Sequence, residues 1–191
     1  MYGYKGFTLI ELLVTIAIAG ILATVAVPSF TAVIKDNRLI AQTNDLVTDI
    51  NLARSEAIKR GTRIILCRSA NPSLAAPACG GTAATWTTGW LMFASGDANG
   101  TFESATDTLL QIGQPARSPL TIKTNNVAGD NLEYNPDGTT NEGGGTGIFA
   151  LCDDRGEKYG RQIQVNAVGR PLLITGSASS PIPSCSVPVA V

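Results

Sequence analysis

The chain of 191 residues contains no histidine. That absence removes every catalytic triad, general base and metal centre built on imidazole. Charge is also scarce, at 15% of residues, and aromatics are scarcer, at 6%. With 14 basic and 15 acidic side chains the formal charge is −1, so no global positive charge draws the molecule to nucleic acid or an anionic membrane. The four cysteines, Cys67, Cys79, Cys152 and Cys185, show no C-x-x-C spacing, which together with the missing imidazoles argues against zinc. The 20 glycines and 10 prolines fall short of a disordered composition. The length fits one domain with an appendage.

What is there is concentrated at one end. From Phe7 to Ile34 the only charged residue is Glu11, and between Leu12 and Val27 the only polar side chains are Thr15 and Thr24. As a helix, Phe7–Pro28 spans about 33 Å, enough to cross roughly 30 Å of hydrocarbon. Small residues such as Ala17, Ala19, Gly20, Ala23 and Ala26 suit close helix–helix approach. A secretory signal peptide would need a cleavage site after the apolar run, for which Ala23–Ala26 is the available stretch. A plain anchor accounts for the length but not for Glu11. A carboxylate near the membrane end of an apolar helix is costly and marks a functional site. Its natural partner is a cation such as the free N-terminal amine of a neighbouring copy, which implies assembly.

The residues Lys5-Gly6-Phe7-Thr8-Leu9-Ile10-Glu11-Leu12-Leu13-Val14 resemble the prepilin cleavage motif of type IV pilins and type II secretion pseudopilins. The resemblance implies cutting after Gly6 by a prepilin peptidase and methylation of the new N-terminal Phe7. It implies that Glu11 pairs with the N-terminal amine of an adjacent subunit. Pro28 matches the proline that kinks the family's long helix. The expected organisation is a leader over residues 1–6, a transmembrane and assembly helix over 7–34, and a periplasmic head over 35–191.

Beyond Pro28, Leu39, Leu46, Ile50, Ala53 and Ala57 share one helical face. Gly61, after Lys59 and Arg60, is a suitable stop. The spacing predicts one helix from about residue 7 to 60, amphipathic in its second half. From residue 62 the period changes. Short strands are predicted over 62–68, 89–93, 108–112, 120–124, 147–152, 162–167 and 171–175, separated by turn-rich segments. The fold class is therefore α+β, a long N-terminal helix packed on an antiparallel sheet. Asn141–Gly145 and the Ser/Pro-rich C-terminus read as local flexible stretches. The head is similar to those of FimT/GspH-type minor pilins and pseudopilins through Ala53-Arg54-Ser55-Glu56-Ala57, the strand carrying Cys67, Thr88-Gly89-Trp90-Leu91-Met92-Phe93, the Asp97-Ala98-Asn99-Gly100 turn and Gly169-Arg170.

An even cysteine count in a head outside the cytoplasm implies disulfides. Of three possible pairings, Cys67–Cys79 with Cys152–Cys185 is preferred, because each staples a Pro/Gly/Ser-rich loop to a strand; loop entropy assigns about 3–4 kcal/mol to each. Asp97-x-Asn99-Gly100, with Glu103 and Asp107 nearby, offers oxygens for calcium but lacks the full loop signature, so a β-turn is the expectation. No nucleophile–base arrangement is present, and the adjacent carboxylates Asp153 and Asp154 point apart. Arg155, Lys158, Arg161 and Arg170 are the candidates for a DNA-contacting patch. The C-terminal Gly-Arg-x-Arg of the DNA-binding relatives is here Gly169-Arg170-Pro171-Leu172, without the second Arg, so binding is expected to be weak or absent.

These readings converge on a minor pilin rather than an enzyme, with no cofactor and no metal. It would sit in the bacterial inner membrane with Lys5 cytoplasmic, and its head would lie in the periplasm. Its partners would be the prepilin peptidase and, through the N-terminal helices, other pilins of a pilus or pseudopilus. A type IV pilus subunit that primes assembly or joins the tip, a DNA-binding tip pilin and a type II secretion pseudopilin remain the three alternatives.

Overall fold

The structure is a computed structural model that describes residues 6–81, 85–97, 99–125, 130–140, 147–180, 182 and 185. The chain divides into two compact units, Met1–Asn37 and Arg38–Val191. One helix, α1 (Leu9–Arg60), contributes to both.

In the first unit α1 starts two residues later than the pattern predicts, because Thr8 caps it. The Glu11 backbone N–H donates to the Thr8 hydroxyl (3.3 Å), while the Thr8 N–H donates to the Glu11 carboxylate (3.0 Å). This reciprocal pair is a capping box that satisfies donors the first turn leaves orphaned. Ile10, Leu13, Ile21 and Phe30 are all exposed, and the segment is long and apolar enough to cross a membrane. Pro28 sits inside the helix. It has no N–H to give the carbonyl of Thr24, one turn earlier. The hydroxyls of Thr24 and Thr31 bond back to Ile21 and Pro28 (2.7 and 2.8 Å).

In the second unit α1 ends at Gly61, whose φ is 64° and whose N–H returns to the Ala57 carbonyl (2.9 Å). The strands are β1 (Ile64–Arg68), β2 (Trp90–Ala94), β3 (Thr108–Gly113), β4 (Thr121–Thr124), β5 (Asn131–Tyr134), β6 (Gly147–Cys152), β7 (Arg161–Val165) and β8 (Pro171–Thr175). They form not one antiparallel sheet but two of four strands each, ordered β3-β2-β1-β5 and β4-β6-β7-β8. β5 was not predicted. Its four residues hold only Leu132 and Tyr134 as alternating apolar members, too short a pattern to register, and the strand forms because both side chains are buried against α1 and β1. The Asn141–Gly145 run and most of the C-terminal segment lie outside the described residues.

Leu39, Leu46, Ile50, Ala53 and Ala57 are buried, as the spacing predicts. They share one core with Ile64, Leu66, Trp90 and Met92 of the first sheet and Phe149, Leu151, Ile163 and Val165 of the second. Two polar residues lie on the same buried stripe. Thr43 donates to the Leu39 carbonyl (2.6 Å). Asp49 accepts a hydrogen bond from the indole N–H of Trp90 on β2 (2.8 Å), which locks the rotation of α1 against the first sheet.

Burial raises the Asp49 carboxyl above the usual carboxylate range, with the Trp90 bond opposing and the charge of Asp45 adding to the rise. A raised folded value means the native state holds the proton longer than the unfolded chain. The stability it contributes is present below the unfolded value and lost as pH rises through the folded one. Asp49→Asn should therefore gain thermal stability relative to the parent as pH rises from about 4 to 7. Asp49→Leu should lose roughly 1–3 kcal/mol at low pH by orphaning the indole N–H. Thermal unfolding followed by circular dichroism across that range is the check.

Candidate assembly helix and head surface

Gly6 and Phe7 lie exposed just ahead of α1, with Phe7 82% accessible. Residues 1–5, including Lys5, lie outside the described residues. The Glu11 carboxylate holds both the backbone N–H and the hydroxyl of Thr8, each at 3.0 Å. The one charge of the apolar segment is thus partnered within its own chain, and its further lone pairs stay open to a donor from outside.

The head carries two disulfides, Cys67–Cys79 and Cys152–Cys185. Their placement has a common logic. The outer face of the first sheet presents Ile65, Cys67, Leu91 and Phe93, which are covered by Cys79 and Phe102. The outer face of the second presents Ala150 and Cys152, covered by Ile182 and Cys185. Each bridge pins an irregular segment over an apolar sheet face.

The four basic candidates do not form one patch. Arg155 makes an ion pair with Asp153 (2.7 Å) and lies over the Tyr159 ring at 4.5 Å. With Lys158 it belongs to the turn between β6 and β7, and Arg161 starts β7. Arg170 is at the far end of the β7–β8 hairpin, where Val165 pairs with Pro171 while Arg161 pairs with Thr175. Four strand steps, roughly 13 Å, separate the two ends. A hairpin thus puts residues nine apart in the chain at its opposite ends.

The acidic turn is built by its own hydrogen bonds. Asp97 accepts from the backbone and side-chain amides of Asn99 (3.2 and 2.7 Å), and Asp107 from the N–H groups of Gly96 and Glu103 (2.9 and 2.8 Å). These oxygens act as turn acceptors, the role expected of an Asx-rich turn.

Sequence reading missed what Gly169 does. Its φ is 79°, and an added Cβ would lie 2.2 Å from the Gly138 carbonyl oxygen and 2.8 Å from the Tyr134 ring. The Tyr134 hydroxyl donates to the Gly169 carbonyl (3.1 Å), and Arg54 of α1 donates from Nε to the Gly138 carbonyl (3.1 Å). Helix, first sheet and second sheet meet here. The only signal in the sequence was the presence of both Arg54 and Gly169 in the family resemblance; nothing in it joins them.

A single long N-terminal helix, apolar in its first half and packed in its second on two antiparallel sheets, is the architecture of a type IV pilin-like subunit. The family model described as type II transport protein GspH matches residues 42–169, and the prokaryotic N-terminal methylation motif matches residues 1–27. The chain belongs to the GspH family, one of structural pilin-like subunits and not of enzymes. Its fold is similar to that of the type IV minor pilin FimU of Pseudomonas aeruginosa PAO1 in two crystal forms. The first is 22% identical over 79% of this chain and 97% of that one, with a TM-score of 0.58. The second is 22% identical over 77% and 99%, with a TM-score of 0.51.

Gly169→Ala should destabilise the head by roughly 3 kcal/mol or more, since it combines a positive φ with a backbone clash. Arg170→Ala next to it, exposed, should change stability by less than about 0.5 kcal/mol. Denaturant unfolding of the two variants measures the contrast.

Proposed function

We propose that the chain is a minor subunit of a type IV pilus, cut between Gly6 and Phe7, methylated on Phe7 and inserted into the fibre through α1. The observation that carries this reading is Glu11. It is the lone charge of an otherwise apolar and exposed helix segment, and it stands five residues into the chain that cleavage would leave. Within a membrane a carboxylate is costly unless neutralised. The amine freed by cleavage of a neighbouring subunit supplies the positive charge, so the cost of Glu11 falls on entry into a fibre. Before processing, the leader keeps Lys5 on the cytoplasmic side, and the head occupies the periplasm. Subunits related by rotation plus translation then make unlike contacts that propagate a filament. The fold shared with a minor pilin supports this placement. Membership in a family described by type II transport supports a second reading, a minor pseudopilin, which uses the same processing and the same helix.

Mass spectrometry of the mature protein should find methylated Phe7 at the N-terminus; a start near residue 27 would overturn the reading in favour of a signal peptide. Glu11→Ala should insert into the membrane at least as readily, the gain being below the roughly 2–3 kcal/mol of a mid-membrane carboxylate. It should nevertheless be depleted from sheared pili, and normal incorporation would remove the pairing role. Duplex DNA should be retarded weakly or not at all by the full chain at low salt, with no change in Arg170→Gln, because the basic residues are split between two hairpin ends and one is paired.

A further inference from the structure

Around the C-terminal end of α1 the head carries opposite charge on the two sides of its first sheet. The turn between β2 and β3 starts beside the helix end. The Ser95 N–H donates to the Arg63 carbonyl (3.0 Å), and the Thr62 hydroxyl donates to the Ser95 carbonyl (3.2 Å). The turn then lies over the outer face of the sheet, where Phe102 meets Phe93 with ring centres 5.4 Å apart and Asn131 donates to the Gly100 carbonyl (2.8 Å). Its exposed carboxylates are Asp97 and Glu103. Both accept from the side-chain amide of Asn99 (2.7 and 3.2 Å), and neither has a cationic partner among the described residues. The other acids of this side are already used. Asp107 holds the N–H groups of Gly96 and Glu103, Asp130 pairs with Arg68, and Glu133 pairs with Arg63.

On the helix side the balance is reversed. Gly138 and Gly169 form a backbone ridge against α1, so close that a Cβ on Gly138 would lie 2.8 Å from the Ile58 side chain. Ile58 and Val168 flank the ridge, 52% and 57% exposed. Around them stand Arg54, Lys59, Arg60 and Arg170, against only Glu56 and Asp137. Glu56 is shared between Lys59 and Arg60, and Asp137 accepts from the N–H and hydroxyl of Thr139 (2.9 and 2.6 Å). Arg54 gives its Nε to the Gly138 carbonyl, and Arg170 is exposed. Neither has a carboxylate partner among the described residues. Apolar side chains set among unpaired guanidinium groups suit an acidic protein surface. A phosphate backbone would leave Ile58 and Val168 without a partner.

We propose that the Gly138–Gly169 ridge of one subunit receives the 97–103 turn of a second copy. Glu103 meets Arg170, and the uncharged, exposed Ser104 and Ala105 lie against Val168 and Ile58. Charge selects this pairing over ridge on ridge, which would bring Arg170 and Lys59 of both copies together. Both surfaces sit at the same end of α1, so the copies stand side by side with their 38–60 segments parallel. The contact joins unlike surfaces and can repeat from copy to copy. Exposed ion pairs are individually weak and screened by salt. The contact therefore orders neighbours that are already held close rather than recruiting them from solution.

Cysteine pairing of the full chain in detergent micelles, after nuclease treatment, tests this independently of processing and of Glu11, so its failure leaves the pilus reading standing. The four native cysteines are all bridged, and Val168 and Ser104 are exposed. Under mild oxidation Val168→Cys mixed with Ser104→Cys should give a disulfide dimer on a non-reducing gel, and either variant alone roughly tenfold less. Adding Arg170→Glu to the Val168→Cys chain should cut the mixed dimer by roughly fivefold or more at unchanged circular dichroism. Adding Glu103→Arg to the Ser104→Cys partner as well should restore it. No mixed dimer, a mixed dimer indifferent to Arg170→Glu, or a double reversal without restoration would each overturn the proposal. So would a mixed dimer that forms only when duplex DNA is added, which would assign the cations to phosphate.

Discussion

The burial of one helical stripe, Leu39 through Ala57, is the interaction on which the head depends. Neither sheet is closed by the other alone; the same face of α1 completes the core of both. Because Ala53 and Ala57 are small, the helix comes close to the strands near its end, where Arg54 reaches the Gly138 carbonyl and Gly169 has no room for a side chain. Asp49 and Trp90 add a polar latch inside this apolar contact. A buried hydrogen bond of that kind contributes less to stability than the burial around it, but an orphaned partner is costly, so it selects one helix rotation over others.

The remaining apolar surface is handled by covalent means. Both sheets are apolar on their outer faces as well, at Ile65, Leu91 and Phe93 in one and Ala150 in the other. Among the described residues no second α-helix packs there. Irregular segments cover them, and such segments have high chain entropy to lose. The Cys67–Cys79 and Cys152–Cys185 bridges reduce that loss by constraining the unfolded chain.

The apolar first half of α1 obeys a different solvent. Its exposed Ile, Leu and Val side chains are a liability in water and an asset in hydrocarbon or in a bundle of like helices. A single carboxylate in such a segment makes its free energy depend on what lies beside it. In the proposed role, that dependence couples membrane residence to fibre entry.

The sequence by itself determined the long helix, its buried stripe, its stop at Gly61, the cleavage-type motif and seven of the strands. These rest on local periodicity and capping, which neighbouring residues decide. It also made the disulfide pairing preferable, through loop composition, without establishing it. The division into two sheets, strand β5, the Arg54–Gly138–Gly169 junction and the Asp49–Trp90 bond were decided only by the tertiary structure. Each joins residues far apart in the chain, and no local pattern records which distant partner a backbone group will meet. The basic residues make the same point in reverse. Arg161 and Arg170 are near in the chain and far apart in space, because the hairpin that joins them is longer than the reach of either side chain.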